Sequence, residues 1–161
     1  MNREILFKAK RIDNGEWVEG HLFDDGMPKP KRYFIGGIIV KPYEGTACDK
    51  WNVVGIDFCE INQDTICQFT GLTDKNGNKI WENDILRGYQ YPYRSDGNDN
   101  YFAEVTWFEN CPAFGIYTFK NPKSNVCGIS EGNTEFMENW NSEDWEVIGN
   151  IFDNAELLEV E

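Results

Sequence analysis

The sequence is poor in the residues and motifs from which most catalytic and metal sites are built. Its 161 residues include a single histidine, His21, and five cysteines, none of them spaced C-x-x-C. A structural zinc site needs four nitrogen or sulfur ligands, and Cys–His catalysis needs a base beside the thiol, so both have weak support. Nucleotide-binding glycine motifs are also absent. We predict reduced cysteines, no metal, no cofactor and no catalytic residue.

Long apolar runs are missing as well. No segment of about 18 apolar residues occurs, which argues against a membrane-spanning helix. The first residues lack the apolar core of a signal peptide. We therefore expect a cytoplasmic protein that makes no contact with membranes.

Basic residues become scarce toward the C-terminus. The chain carries 15 Lys and Arg against 28 Asp and Glu, a net charge of −13. Residues 101–161 hold two basic and twelve acidic side chains. A negative field repels phosphate backbones, so we expect no direct binding to double-stranded DNA.

The acidic end contains a candidate partner-binding stripe. We predict a helix over residues 133–140, on which acidic residues three and four apart share one side. Such a stripe would attract a basic partner protein. The alternative is a surface that only confers solubility. The stripe comprises Glu131, Glu135, Glu138, Glu143, Asp144 and Glu146.

What the sequence has in abundance is β-strand patterning with Asn-Gly turns. Asn-Gly between alternating segments is typical of a two-residue hairpin loop, and it occurs at Asn14-Gly15 and Asn76-Gly77. The first loop predicts a register in which Ile12 faces Trp17, Lys10 faces Glu19, Lys8 faces His21 and Leu6 faces Phe23. On the other face, Arg11 pairs with Val18, Ala9 with Gly20 and Phe7 with Leu22. The second predicts Asp74 opposite Lys79 and Leu72 opposite Trp81.

The pattern along the whole chain predicts one mainly β domain over residues 1–161. Antiparallel hairpins would form a small barrel-like or sandwich-like domain, with one or two short helices near the C-terminus. Residues 88–100, rich in Gly, Pro, Asn and Asp, predict a mobile loop. Further strands are expected over 33–40, 53–58, 65–69, 101–108, 113–119 and 145–152, and a last helical turn over 154–159.

Three blocks of sequence resemble YopX-like phage proteins. They are the opening Arg3-Glu4-Ile5-Leu6-Phe7-Lys8 with Asp13-Asn14-Gly15-Glu16-Trp17, the centre from Gln68 to Ile85, and the end from Glu146 to Leu158. Asn83 stands where the family usually has Gly, and Ala155 where it often has Pro. The resemblance implies a phage or prophage origin and a mainly β fold, and it transfers no catalytic residue.

Three hypotheses about function follow. The favoured one is a non-enzymatic interaction or structural protein that self-associates, because small β domains present edge strands and tryptophan is enriched at interfaces. The alternative is an acidic effector that mimics DNA charge or binds a basic host protein. A small hydrolase or metal enzyme is the remote alternative.

Overall fold

The computed structural model describes residues 4–42, 51–89, 100–110, 112–120, 134–136 and 145–158. Contacts divide the chain into two compact units, Met1–Gln68 and Phe69–Glu161. Antiparallel strands dominate both units, which confirms the mainly β prediction. The strands are β1 Phe7–Lys10, β2 Trp17–Asp24, β3 Tyr33–Pro42, β4 Trp51–Ile61, β5 Cys67–Thr73, β6 Lys79–Trp81, β7 Asp84–Tyr89, β8 Asn100–Phe108, β9 Ala113–Lys120, β10 Thr134–Phe136 and β11 Trp145–Asn150.

The first unit is a curled antiparallel sheet. Its strands follow the order β4-β3-β2-β1-β5. An isolated bridge between Arg11 and Ile61 brings the end of β4 back to β1. Ala9, Ile35 and Ile61 are buried inside the curl, and five partly buried side chains pack around them: Phe7, Val18, Leu22, Tyr33 and Ile66. The described strands curl in this way without forming a closed barrel.

The second unit holds a five-stranded sheet with the order β10-β9-β8-β7-β11. The strand β6 pairs with the part of β5 that belongs to this unit. Its core contains seven buried side chains from β6, β7, β8, β9 and β11: Ile80, Leu86, Ala103, Val105, Phe114, Ile116 and Trp145. The antiparallel pairing of β8 with β9 was predicted from the sequence and is confirmed.

The first hairpin has a longer loop than predicted. Arg11 donates its backbone N–H to Glu16 and accepts from the N–H of Gly15, so the loop has four residues. The register is shifted by two residues, and Lys8 faces Glu19 while Lys10 faces Trp17. A register shift of two residues leaves every side chain on the same face of the sheet. The predicted pairs are therefore wrong, but Phe7 and Leu22 pack against the same core as expected.

The loop of the second hairpin is also longer than predicted, by one residue. The N–H of Asp74 bonds the carbonyl of Asn78, and the N–H of Gly77 bonds the carbonyl of Asp74. Thr73 then pairs with Lys79, and a bulge at Gly71 brings Phe69 opposite Trp81. The predicted pairs of Asp74 with Lys79 and of Leu72 with Trp81 are wrong.

The helix predicted over residues 133–140 is wrong where the structure describes it. Thr134–Phe136 forms β10, and Glu135 pairs with Ile116 of β9. Backbone pairing with the edge of β9 therefore outweighs the helical spacing of Phe136 and Trp140. Near the C-terminus the described helical residues form one short 3-10 turn, Ala155–Leu158. Of the loop predicted at 88–100, Gly88 and Tyr89 lie in β7 and Asn100 lies in β8, and residues 90–99 lie outside the described part.

Candidate functional site

The structure describes two of the six residues of the predicted acidic stripe. Glu135 lies in β10 and Glu146 lies in β11. In a strand, residues four apart no longer obey the helical spacing from which the stripe was inferred. The stripe as a partner-binding surface stays a prediction. Its other members lie outside the described residues: Glu131, Glu138, Glu143 and Asp144.

Glu146 is engaged by two cations of its own unit. The Nη2 of Arg87 lies 2.7 Å and the Nζ of Lys75 lies 2.8 Å from its Oε2. The hydrogen bond from Arg87, and then that from Lys75, lowers the pKa of Glu146. Its charge is therefore already compensated, which weakens its contribution to any field toward a partner.

A pocket of about 500 Å³ opens in the first unit beside the turn between β1 and β2. Four cations line it: Lys10, Arg11, Lys31 and Arg32. Three of them bond acids nearby, Arg11 to Asp13, Lys31 to Asp24 and Arg32 to Asp25. Glu60 and Asp64 add negative charge to its wall. The pocket therefore has nearly balanced charge and no distinct preference for an anion.

The described residues contain no group of three metal-binding side chains. Cys59 and Cys67 are free thiols, while Cys48, Cys111 and Cys127 lie outside the described residues. No helix in the described part is long and apolar enough to cross a membrane.

The most unusual surface is the apolar outer face of β3 and β4, on the side of the sheet opposite the buried core. Pairing places Ile38 directly beside Ile56, and Phe58 beside Gly36. Both isoleucines are about two-thirds exposed, at 64% and 66%. Phe23 of β2 contacts Phe58 edge to face, with their ring centroids 4.9 Å apart. We call this surface the β3–β4 outer face, and its exposed members are Phe23, Ile38, Val54, Ile56 and Phe58.

An apolar residue is exposed on the other side of the same sheet as well. Ile39, on the side of Ile35, is 45% exposed. An antiparallel sheet with one solvated face normally carries polar residues on that face. The run Ile38-Ile39-Val40 and the pair Val53-Val54 break this alternation. That break is the signal in the sequence that could have pointed to this surface.

The strand β4 is also the outermost strand of its sheet. It pairs with β3 over its whole length, and at its end Glu60 and Asn62 bond Ile12 and Lys10. From Trp51 to Cys59 no described strand pairs with its other edge. Natural proteins protect such edges with Lys, Pro or inward charges. This strand contains neither Lys nor Pro, and Asp57 is the one charged residue between Val53 and Cys59.

The two units define an antiparallel β protein with an apolar edge that no described strand covers. The family model described as YopX protein matches residues 7–159, and the chain belongs to this family. A solved structure, that of protein EF1440 from Enterococcus faecalis, is similar, with 22% identity and a TM-score of 0.49. The similarity covers 97% of this chain and 99% of that one. No curated protein compared with the chain matches it.

Proposed function

We propose that this chain is a non-enzymatic interaction or structural protein of a phage or prophage that self-associates through β3 and β4. The observation that carries the proposal is the β3–β4 outer face, where five apolar side chains are each at least one-third exposed. Large exposed apolar patches mark interaction sites in soluble proteins. The phage origin rests on the family resemblance.

The charge distribution supports this choice of surface. The unit Met1–Gln68 carries nine basic and eleven acidic residues, while Phe69–Glu161 carries six and seventeen. The net charges are therefore −2 and −11. Like charges brought together at an interface are costly. Association through the first unit avoids pairing two strongly acidic surfaces.

Sedimentation of Ile56→Lys and Ile5→Lys tests the proposal. Wild type should sediment as an oligomer at micromolar concentration. A lysine at Ile56 puts a charge into the contact and should give a species of 18.7 kDa. Ile5 is 60% exposed and lies outside the strands, so Ile5→Lys controls for the added charge and should leave the oligomer intact.

A wild type that sediments only at 18.7 kDa would overturn self-association. Equal dissociation of both variants would place the contact elsewhere. Circular dichroism of each variant checks that the β content is retained.

A second candidate function is an acidic effector that mimics DNA charge or binds a basic protein. The net charge of −11 on residues 69–161 favours it. Reversal of Glu131, Glu135 and Glu138 to Lys should then abolish capture of a basic protein at low salt. Unchanged capture would contradict it.

A further inference from the structure

We propose that two copies pair edge to edge through β4, in antiparallel register about a two-fold axis at Ile56. This inference rests on the proposed self-association and specifies its geometry. The proposed occupant of this edge, which no described strand covers, is the same strand of a second copy, and the two sheets join into one continuous sheet.

The direction of the main chain along β4 follows from its bonds to β1. The carbonyl of Glu60 accepts from Ile12, and the N–H of Asn62 donates to Lys10. Both groups point away from β3. Because strand residues alternate, Phe58 and Ile56 also direct their N–H and C=O groups to the edge of β4 that no described strand covers. These are the groups with which a second strand would bond.

The register follows from symmetry, the bulge and one charge. A two-fold axis normal to the sheet requires opposite residues to share a face, so three registers are available near the middle of the strand. An axis at Asp57 would place two carboxylates directly opposite each other, which is unfavourable. An axis at Gly55 would draw the bulge at Val53 and Val54 into the pairing.

An axis at Ile56 separates the two carboxylates and moves the bulge from beside the axis to the ends of the paired segment. The two Ile56 residues would exchange a pair of backbone hydrogen bonds. Asp57 would lie opposite Gly55, which offers no like charge. The exposed side chains of Val54, Ile56 and Phe58 would contact their counterparts along the joined outer face.

The two copies could instead pack face to face through their β3–β4 outer faces. This packing would cover Ile38 and Ile56 but leave the edge of β4 without backbone partners from any described strand. Edge pairing would bond this edge and would also bring Ile56 and Phe58 of the two copies together.

Thiol cross-linking separates the two geometries. Ile56→Cys and Ile38→Cys, each with Cys59→Ser, are treated with a short bifunctional thiol reagent. With edge pairing, positions 56 lie one strand spacing apart, whereas positions 38 lie three spacings apart, about 14 Å. We expect a linked dimer for Ile56→Cys and none for Ile38→Cys or for Cys59→Ser alone. Links at 38 that equal or exceed those at 56 would overturn edge pairing.

A second pair of variants tests the register. A side chain at Gly55 has room in the monomer, where the nearest heavy atom to an added Cβ is the Cδ1 of Ile39 at 3.6 Å. Gly55→Asp would create two like-charge pairs with Asp57 and should raise the dimer dissociation constant at least about tenfold. Gly55→Asn introduces a side chain of the same shape as Asp but without charge, and it should change the dimer dissociation constant by less than about threefold. Equal effects of Asp and Asn would contradict this register.

These outcomes are distinct from failure of the proposed function. A monomeric wild type refutes self-association and the register together. A dimeric wild type that links at 38 refutes the register and leaves self-association standing.

Discussion

At the scale of single residues, Asp74 organises the turn between β5 and β6. Its Oδ1 accepts hydrogen bonds from the N–H groups of Asn76 and Asn78, both at 2.8 Å. Its Oδ2 accepts from the side chain of Asn78 and from the N–H of Val147 in β11. One buried carboxylate thus ties the hairpin to the edge strand of the second sheet.

Replacing Asp74 with Ala should lower the free energy of unfolding by about 3 kcal/mol, because buried N–H groups lose a charged acceptor. Glu109→Ala, at an exposed position of the same unit, should have almost no effect. Urea denaturation followed by tryptophan fluorescence, to which the buried Trp81 and Trp145 contribute, measures both. A loss for Asp74→Ala no larger than that for Glu109→Ala would contradict this role.

The same carboxylate predicts acid sensitivity. Burial raises the pKa of Asp74, but the hydrogen bonds from Val147, Asn78 and Asn76 outweigh it and leave the pKa lowered. A lowered folded-state pKa gives stability that is present above the ordinary aspartate value of about 4 and is lost as pH falls through the folded value. Asp74→Asn should therefore lose less stability than wild type between about pH 5 and pH 3. Parallel slopes over this range would show that Asp74 does not contribute.

At the scale of elements, the sequence predicted the existence of both hairpins but not their loops. A type I′ turn needs positive φ at both central residues. Gly15 and Gly77 have φ of +73° and +81°, but among the described residues the one non-glycine with positive φ is Asn83. The side chain of Asn14 bonds the N–H of Glu16, and Asp74 bonds that of Asn76. Local side-chain bonds therefore select the longer loops.

The left-handed glycine of the first loop gives a prediction for this element. Gly15 and Gly37 both have open space where a Cβ would be added, but only Gly15 has positive φ. Gly15→Ala should destabilise the first unit by about 1 kcal/mol, and Gly37→Ala should be neutral or slightly stabilising. Thermal unfolding of the two variants measures the difference. Equal effects would mean that the turn relaxes to another conformation.

The alternation of apolar and polar residues also predicted most of the strands that contribute to the cores. It did so because a strand with one buried face places apolar residues on that face and polar residues on the other. Tyr33–Pro42 and Trp51–Ile61 contain the predicted segments and extend beyond them. The exposed outer face of these strands was not predicted. An apolar run has the same sequence pattern whether the protein's own core or a second copy covers it. The strand Thr134–Phe136 was missed because its partner, β9, is distant in sequence.

At the scale of the whole molecule, the two candidate functions respond to salt in opposite directions. Two copies each carry a net charge of −13, with most of it on residues 69–161. Salt screens repulsion between exposed like charges that lie farther apart than a Debye length, which is about 10 Å at 0.1 M and shorter at higher salt. Self-association through apolar side chains should therefore strengthen between about 50 mM and about 500 mM NaCl.

An acidic surface that captures a basic partner depends on attraction, so capture should weaken over the same range. Sedimentation equilibrium at several salt concentrations measures the first trend, and capture of a basic protein on immobilised chain measures the second. The triple reversal of Glu131, Glu135 and Glu138 to Lys adds six positive units of charge and should mimic the effect of salt on self-association. Self-association that weakens with salt would contradict the apolar interface and would assign the contact to ion pairs instead.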